Sequence, residues 1–122
     1  MKILYFGNPL LDTDNLAVKV CRKLEQENKS KDIEFEHISD TFQLIDKNLD
    51  EAILIDVVHG IIKAGFVGSS SLKQSRISSL HDFDLGFLIK LKKISPKILG
   101  IPQGYSEELA LKEVRSLLPL NS

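Results

Sequence analysis

The chain has 122 residues, 43% of them apolar and 27% charged, a length and balance that predict one soluble domain with a single core spanning 1–122. Its net charge of −1 excludes a broad electrostatic attraction for nucleic acid or anionic lipid. Cys21 is the only cysteine and no apolar run is long enough for a signal segment or a membrane span, so the expectation is a cytoplasmic protein with neither nucleic-acid nor membrane partners.

Ile3-Leu4-Tyr5-Phe6 is a continuous apolar run, the pattern of a strand covered on both faces. The chain leaves it through Gly7-Asn8-Pro9, where Gly7 permits a sharp exit and Pro9 stiffens the turn. A helix follows, with Leu16, Ala17, Val20 and Leu24 on one stripe and Lys19, Lys23 and Gln26 off it. Asp12 reads as its N-cap, and Asp14 falls in its first turn, where an acid suits the helix dipole. The polar stretch from Glu27 to Asp32 ends it.

Residues 33–38 alternate with period two, the pattern of a half-covered edge strand with His37 on its solvated side. Asp40 is placed to cap a short helix holding Phe42 and Ile45. Residues 52–58 form a second buried strand, carrying Asp56 near its end, and 60–68 read as a turn and a short strand. Ser79 caps a helix whose inner face is Leu80, Phe83, Phe87, Leu88 and Leu91. Residues 96–102 form the third buried strand. Ser106 then caps a last helix, with Glu107 and Glu108 in its first turn and Ala110, Val114, Leu117 and Leu118 turned inward. Strands alternating with helices predict an α/β fold: a three-layer α/β/α domain around a mostly parallel sheet.

In such folds ligands bind beyond the carboxyl ends of the strands. Asp14 follows the first strand, Asp56 ends the third, and His81 opens a later helix. Two carboxylates and an imidazole form a facial set for a divalent ion at about 2.0–2.2 Å, with positions left open for water or substrate. Each residue also has a purely structural role open to it. Asp56 can cap its loop, Asp14 can serve the dipole, and His81 can be a helix-start residue. His59 lies near enough to Asp56 to compete for the ligand role.

The order of these pieces resembles the hydrogenase maturation proteases. Their opening is a short strand, Gly-Asn, two apolar residues, a polar pair, an acid and a helix. It is matched by Gly7-Asn8-Pro9-Leu10-Leu11-Asp12-Thr13-Asp14 and then Asn15-Leu16-Ala17. The family's second acid matches Asp56 in Ile53-Leu54-Ile55-Asp56, and its histidine matches His81 in Ser78-Ser79-Leu80-His81-Asp82. Gly100-Ile101-Pro102 and the acidic helix start resemble the family's last strand and helix. Three departures stand out. Asp14 is one methylene shorter than the commoner Glu, Val57-Val58-His59-Gly60 replaces a Pro-Gly turn, and the chain is short for the family.

The resemblance implies an endopeptidase that removes the C-terminal extension of a nickel-iron hydrogenase large-subunit precursor. It implies Asp14 and Asp56 as catalytic residues, and Asp14, Asp56 and His81 as metal ligands. The nickel is then carried by the precursor, and other divalent ions can occupy the site in isolation. The family is sometimes classed with aspartic peptidases. The general base is left open between Asp12 and groups of the partner. Two rival readings are an inactive relative acting as a binding scaffold and a receiver-like signalling module with Asp56 as the phosphate acceptor. In the second, Gly7-Asn8-Pro9 stands where adjacent acids belong and Pro102-Gln103-Gly104 where a Lys belongs. No GxGxxG or P-loop motif points to a nucleotide. The oligomeric state is not readable from the sequence.

Overall fold

The computed structural model describes residues 1–11, 15–39, 43, 52–58, 60–67 and 97–118. Its elements in chain order are β1 (Lys2–Phe6), α1 (Leu16–Glu27), β2 (Glu34–Ile38), β3 (Ala52–Val58), β4 (Gly65–Val67), β5 (Lys97–Pro102) and α2 (Glu107–Leu117). The strands form one sheet in the order β2-β1-β3-β5-β4. β2, β1, β3 and β5 run parallel, and β4 pairs antiparallel with β5 at the edge. The three continuous apolar runs thus become the three interior strands, and the alternating run becomes an edge. Ser79 to Leu91 and the short helix expected after Asp40 lie outside the described residues.

Burial on both sides explains why β1, β3 and β5 carry few polar residues. Along β3 the pleat turns Ile53, Ile55 and Val57 to one face and Ala52 and Leu54 to the other. The first face meets α1 through Ala17, Val20 and Leu24, and α2 through Ala110 and Val114. On the opposite face Leu4, Phe6 and Leu54 are equally buried, so the sheet is covered on both sides. Across the exposed side of the two helices, Arg115 forms a two-oxygen pair with Glu27, 2.8 Å to each, and Lys23 sits 3.4 Å from Glu107. Exposed pairs of this kind contribute little to stability, so the helices are held mainly by their buried faces.

Local chemistry sets the element ends. α1 ends at Asn28, whose side-chain amide donates to the carbonyls of Ser30 at 3.1 Å and Ile33 at 3.2 Å and so steers the chain into β2. α2 begins as the sequence predicts: Ser106 Oγ accepts the Leu109 N–H at 3.2 Å, with Glu107 and Glu108 in the first turn. The start of α1 differs from expectation. Its N-cap position is Asn15, and its first turn, opening at Leu16, holds no acid. The capping role expected of Asp12 and the first-turn role expected of Asp14 are therefore not the ones that open this helix. The apolar stripe begins at Leu16, and the helix begins with it.

Candidate functional site at the carboxyl edge

The chain leaves β1, passes through α1 and returns as β2 on one flank, whereas β3 lies on the other flank of β1. The two crossovers diverge at the end of β1, which makes the β1/β3 boundary the switch point where such sheets bind ligands. Gly7 leaves β1 with φ 138, a conformation that side chains with a Cβ rarely adopt, so the sharp exit depends on glycine. Asn8 then closes a local turn: its Oδ1 accepts the Leu10 N–H at 2.9 Å and its carbonyl accepts the Leu11 N–H at 3.1 Å.

Asp56 reaches this edge from β3 and is 4% exposed. Its Oδ1 accepts the Val57 N–H at 2.8 Å, one of the interactions that hold it. By the pleat it shares the face of Leu4 and Leu54, opposite the two helices. Gly100 is its partner in the β3–β5 register, and Gly65 pairs with Gly100 from β4. The row from Asp56 toward the sheet edge therefore carries no side chains. A Cβ at Gly100 would lie 2.8 Å from Val58 Cγ2 and 3.1 Å from Ile61 Cδ1. Gly100 is thus required by close packing beside the buried acid. An isolated glycine inside the run Ile98-Leu99-Gly100-Ile101 is the sequence signal for such an approach.

Of the three expected ligands, the structure describes Asp56. Asp14 and His81 lie outside the described residues, as do Asp12 and His59. No group of three or more His, Cys, Asp or Glu comes together among the described residues. His37 is not a solvated edge residue as expected. Half-buried, it places Nε2 2.7 Å from the Gly7 carbonyl oxygen and stacks on Tyr5. Its neighbours explain the difference: the strand face it occupies adjoins Tyr5 of β1, its partner in register.

A cavity of about 330 Å³ opens at the same edge, on the helix side of the sheet. Asn15, Leu16 and Lys19 of α1 form one wall, Val57 the floor, and Gln103, Gly104, Tyr105 and Glu107 the other wall. Gly104 has φ 85, the turn that swings the chain from β5 into α2. The Tyr105 hydroxyl donates to the Glu113 carboxylate at 2.9 Å, and Glu113 also accepts the Ala64 N–H at 3.2 Å. Burial first, and then the Glu113 carboxylate, push the Tyr105 hydroxyl above its ordinary pKa. Asp56 and this cavity share an edge of the sheet but occupy opposite faces of it.

A covered, mostly parallel sheet with a buried acid at its switch point defines a doubly wound α/β protein, a class whose ligands bind at that edge. The sequence matches no protein-family model and no curated protein. Its fold is that of solved hydrogenase maturation proteases. The NiFe hydrogenase maturation protease HycI from Thermococcus kodakarensis superimposes with a TM-score of 0.59 at 14% identity, over 94% of this chain and 88% of that one. The hydrogenase 2 maturation peptidase from a Thaumarchaeota archaeon gives 0.55 at 16% identity, over 95% of this chain and 94% of that one. An uncharacterized protein from Wolinella succinogenes gives 0.56 at 19% identity, covering 94% of each chain. The fold that the resemblance implies is thus matched along nearly the whole chain.

Proposed function

We propose that the protein is an endopeptidase that trims the C-terminal extension of a nickel-iron hydrogenase large-subunit precursor after reading its inserted nickel. The observation that carries this reading is the placement of Asp56. A carboxylate 4% exposed stands at the switch point of a fold shared with solved maturation proteases, and the sequence resemblance matches it to that family's second acid. A buried carboxylate away from water is costly unless partnered, and such groups concentrate at functional sites.

On this reading Asp14, Asp56 and His81 face the precursor's nickel, which is part of the substrate. The donor chemistry fits: two carboxylates and an imidazole suit a borderline ion. Such an ion positions the scissile peptide and polarises its carbonyl or activates water. The partner is a folded protein, and the edge offers a surface for one. Leu10 is 88% exposed and Ile62 is 93% exposed, on the loops that follow β1 and β3. Among the described residues no helix is long and apolar enough to cross a membrane.

The receiver reading is less well supported. Those modules build an all-parallel sheet in the order 2-1-3-4-5. Here β5 sits inside β4, and β4 is antiparallel.

The test is incubation of the protein with nickel-loaded and nickel-free large-subunit precursors from the same organism, followed by intact-mass measurement. Loss of a C-terminal peptide from the nickel-loaded form alone, abolished by Asp56→Asn, is the expected result. Cleavage of unstructured peptides without metal overturns the reading.

A further inference from the structure

The cavity on the helix side of the sheet has a chemical character that the Asp56 site does not explain. Asn15 is 7% exposed, lines the cavity and sits at the N-cap of α1, yet its side chain makes no capping bond. Its φ of −111 and ψ of 0 turn it away from the geometry in which a cap asparagine bonds the first turn. No hydrogen bond is made by its carboxamide among the described residues. A buried amide that makes no bond to the described residues can bind a ligand at the cavity it lines.

The surroundings define the sign of that partner. α1 presents its positive end here, with first-turn N–H groups that the Asn15 side chain does not cap and no acid in the first turn. Lys19, one turn on, stands exposed at the rim. Among the described residues Glu107 is the one acid of the lining, and it is paired with Lys23 at 3.4 Å. Leu16, Val57 and the ring of Tyr105, whose hydroxyl is engaged by Glu113, supply the apolar part of the wall, and Gln103 and Gly104 complete it.

We propose that this cavity is a carboxylate pocket that takes the free C-terminal end of a peptide. The Asn15 amide, the first-turn N–H groups of α1 and Lys19 bind the carboxylate. Leu16, Val57 and Tyr105 enclose an apolar terminal side chain. At about 330 Å³ the cavity matches one terminal residue and its neighbouring peptide bond better than a bare inorganic anion. The pocket stands on its own geometry and not on the maturation reading, so it can hold whether or not the protein cuts a precursor.

The experiment is a titration of the isotope-labelled protein, followed by nuclear magnetic resonance, with N-acetyl-leucine, N-acetyl-leucinamide and inorganic phosphate. N-acetyl-leucine is expected to shift the Asn15 side-chain amide and the backbone amides of Leu16 to Val18. The uncharged amide should bind at least about tenfold more weakly, since it lacks the charge that the helix end and Lys19 read. Asn15→Asp keeps the side-chain shape at the N-cap position and places a like charge in the pocket, so affinity should fall by more than about tenfold while the melting temperature is kept. Lys19→Gln, at an exposed position, should weaken binding and flatten its salt dependence. Four results overturn the proposal: no shifts at these amides, equal binding of the amide analogue, tighter binding of phosphate, or unchanged affinity in both variants.

Discussion

His37 Nε2 lies 2.7 Å from the carbonyl oxygen of Gly7, and its ring stacks on Tyr5 with centroids 5.3 Å apart. A carbonyl only accepts, so the ring nitrogen at this contact carries the proton. The bond ties edge strand β2 to the loop by which the chain leaves β1. That loop leads to Asp14, and on the function proposed above the contact supports the proposed site. His37→Ala removes both the bond and the stack. A loss of about 1–2 kcal/mol is expected in chemical denaturation, with faster amide exchange at Leu10 and Leu11. Unchanged exchange at those two amides would show that the Asn8 turn holds the loop alone.

Gly100 tests the packing around Asp56. A methyl group there meets Val58 Cγ2 at 2.8 Å within a strand buried on both sides. The Gly100→Ala variant should be destabilised by about 1–3 kcal/mol, the usual range for overpacking a core. A Gly65→Ala variant, whose added methyl meets nothing within 4 Å, is the control and should change stability little. Equal urea midpoints for the two variants would mean that β3 and β5 yield freely at this row.

Tyr105 makes a prediction about alkaline pH. Burial and the Glu113 carboxylate raise its pKa in the fold above its ordinary value of about 10. A raised pKa means that the fold favours the protonated hydroxyl. Its stabilising contribution is therefore complete below the unfolded value and is lost as pH rises through the folded one. Tyr105→Phe should lower the melting temperature at neutral pH, and the gap from wild type should close above about pH 10. Tyr5, also raised by burial, titrates in both proteins and cancels. A gap that stays constant up to strongly alkaline pH would separate Tyr105 from the effect.

The interior of this fold was readable because burial on two faces leaves a continuous apolar run. Ile3–Phe6, Ile53–Ile55 and Ile98–Ile101 needed no knowledge of their neighbours to be recognised as central strands. Ser106 was equally plain, since a cap acts within three residues. The features that escaped depend on distant partners. His37 alternates like a solvated residue, and only its pairing with Tyr5 and the Gly7 carbonyl makes it structural. Asn15 does not stand out in the sequence, because Asp12 reads as the N-cap and Asp14 as a first-turn acid. The choice is made by where the apolar stripe meets the sheet, which places the first turn at Leu16. The cavity beside Asn15 joins α1 to the β5–α2 turn, segments about ninety residues apart in sequence, and no local pattern announces it.

The last prediction concerns the metal-reading set. On the function proposed above, Asp14, Asp56 and His81 complete the coordination of an ion that the precursor carries, so the isolated protein should bind nickel only weakly. Asp56 contributes from a buried strand end and is positioned by its bond to the Val57 N–H. Its replacement should therefore cost more than replacement of either other ligand. Ionised carboxylates and a neutral imidazole are the binding forms, so affinity should fall as the solution is acidified. Magnesium, which favours an oxygen-rich octahedron, should compete poorly. The measurement is calorimetric titration of nickel into wild type, Asp14→Ala, Asp56→Asn and His81→Ala, with circular dichroism confirming that each variant is folded. The order expected is strongest binding in wild type and weakest in Asp56→Asn. Affinity that persists in all three variants and vanishes in a His37→Ala, His59→Ala double variant would place the metal-reading residues elsewhere on the same edge.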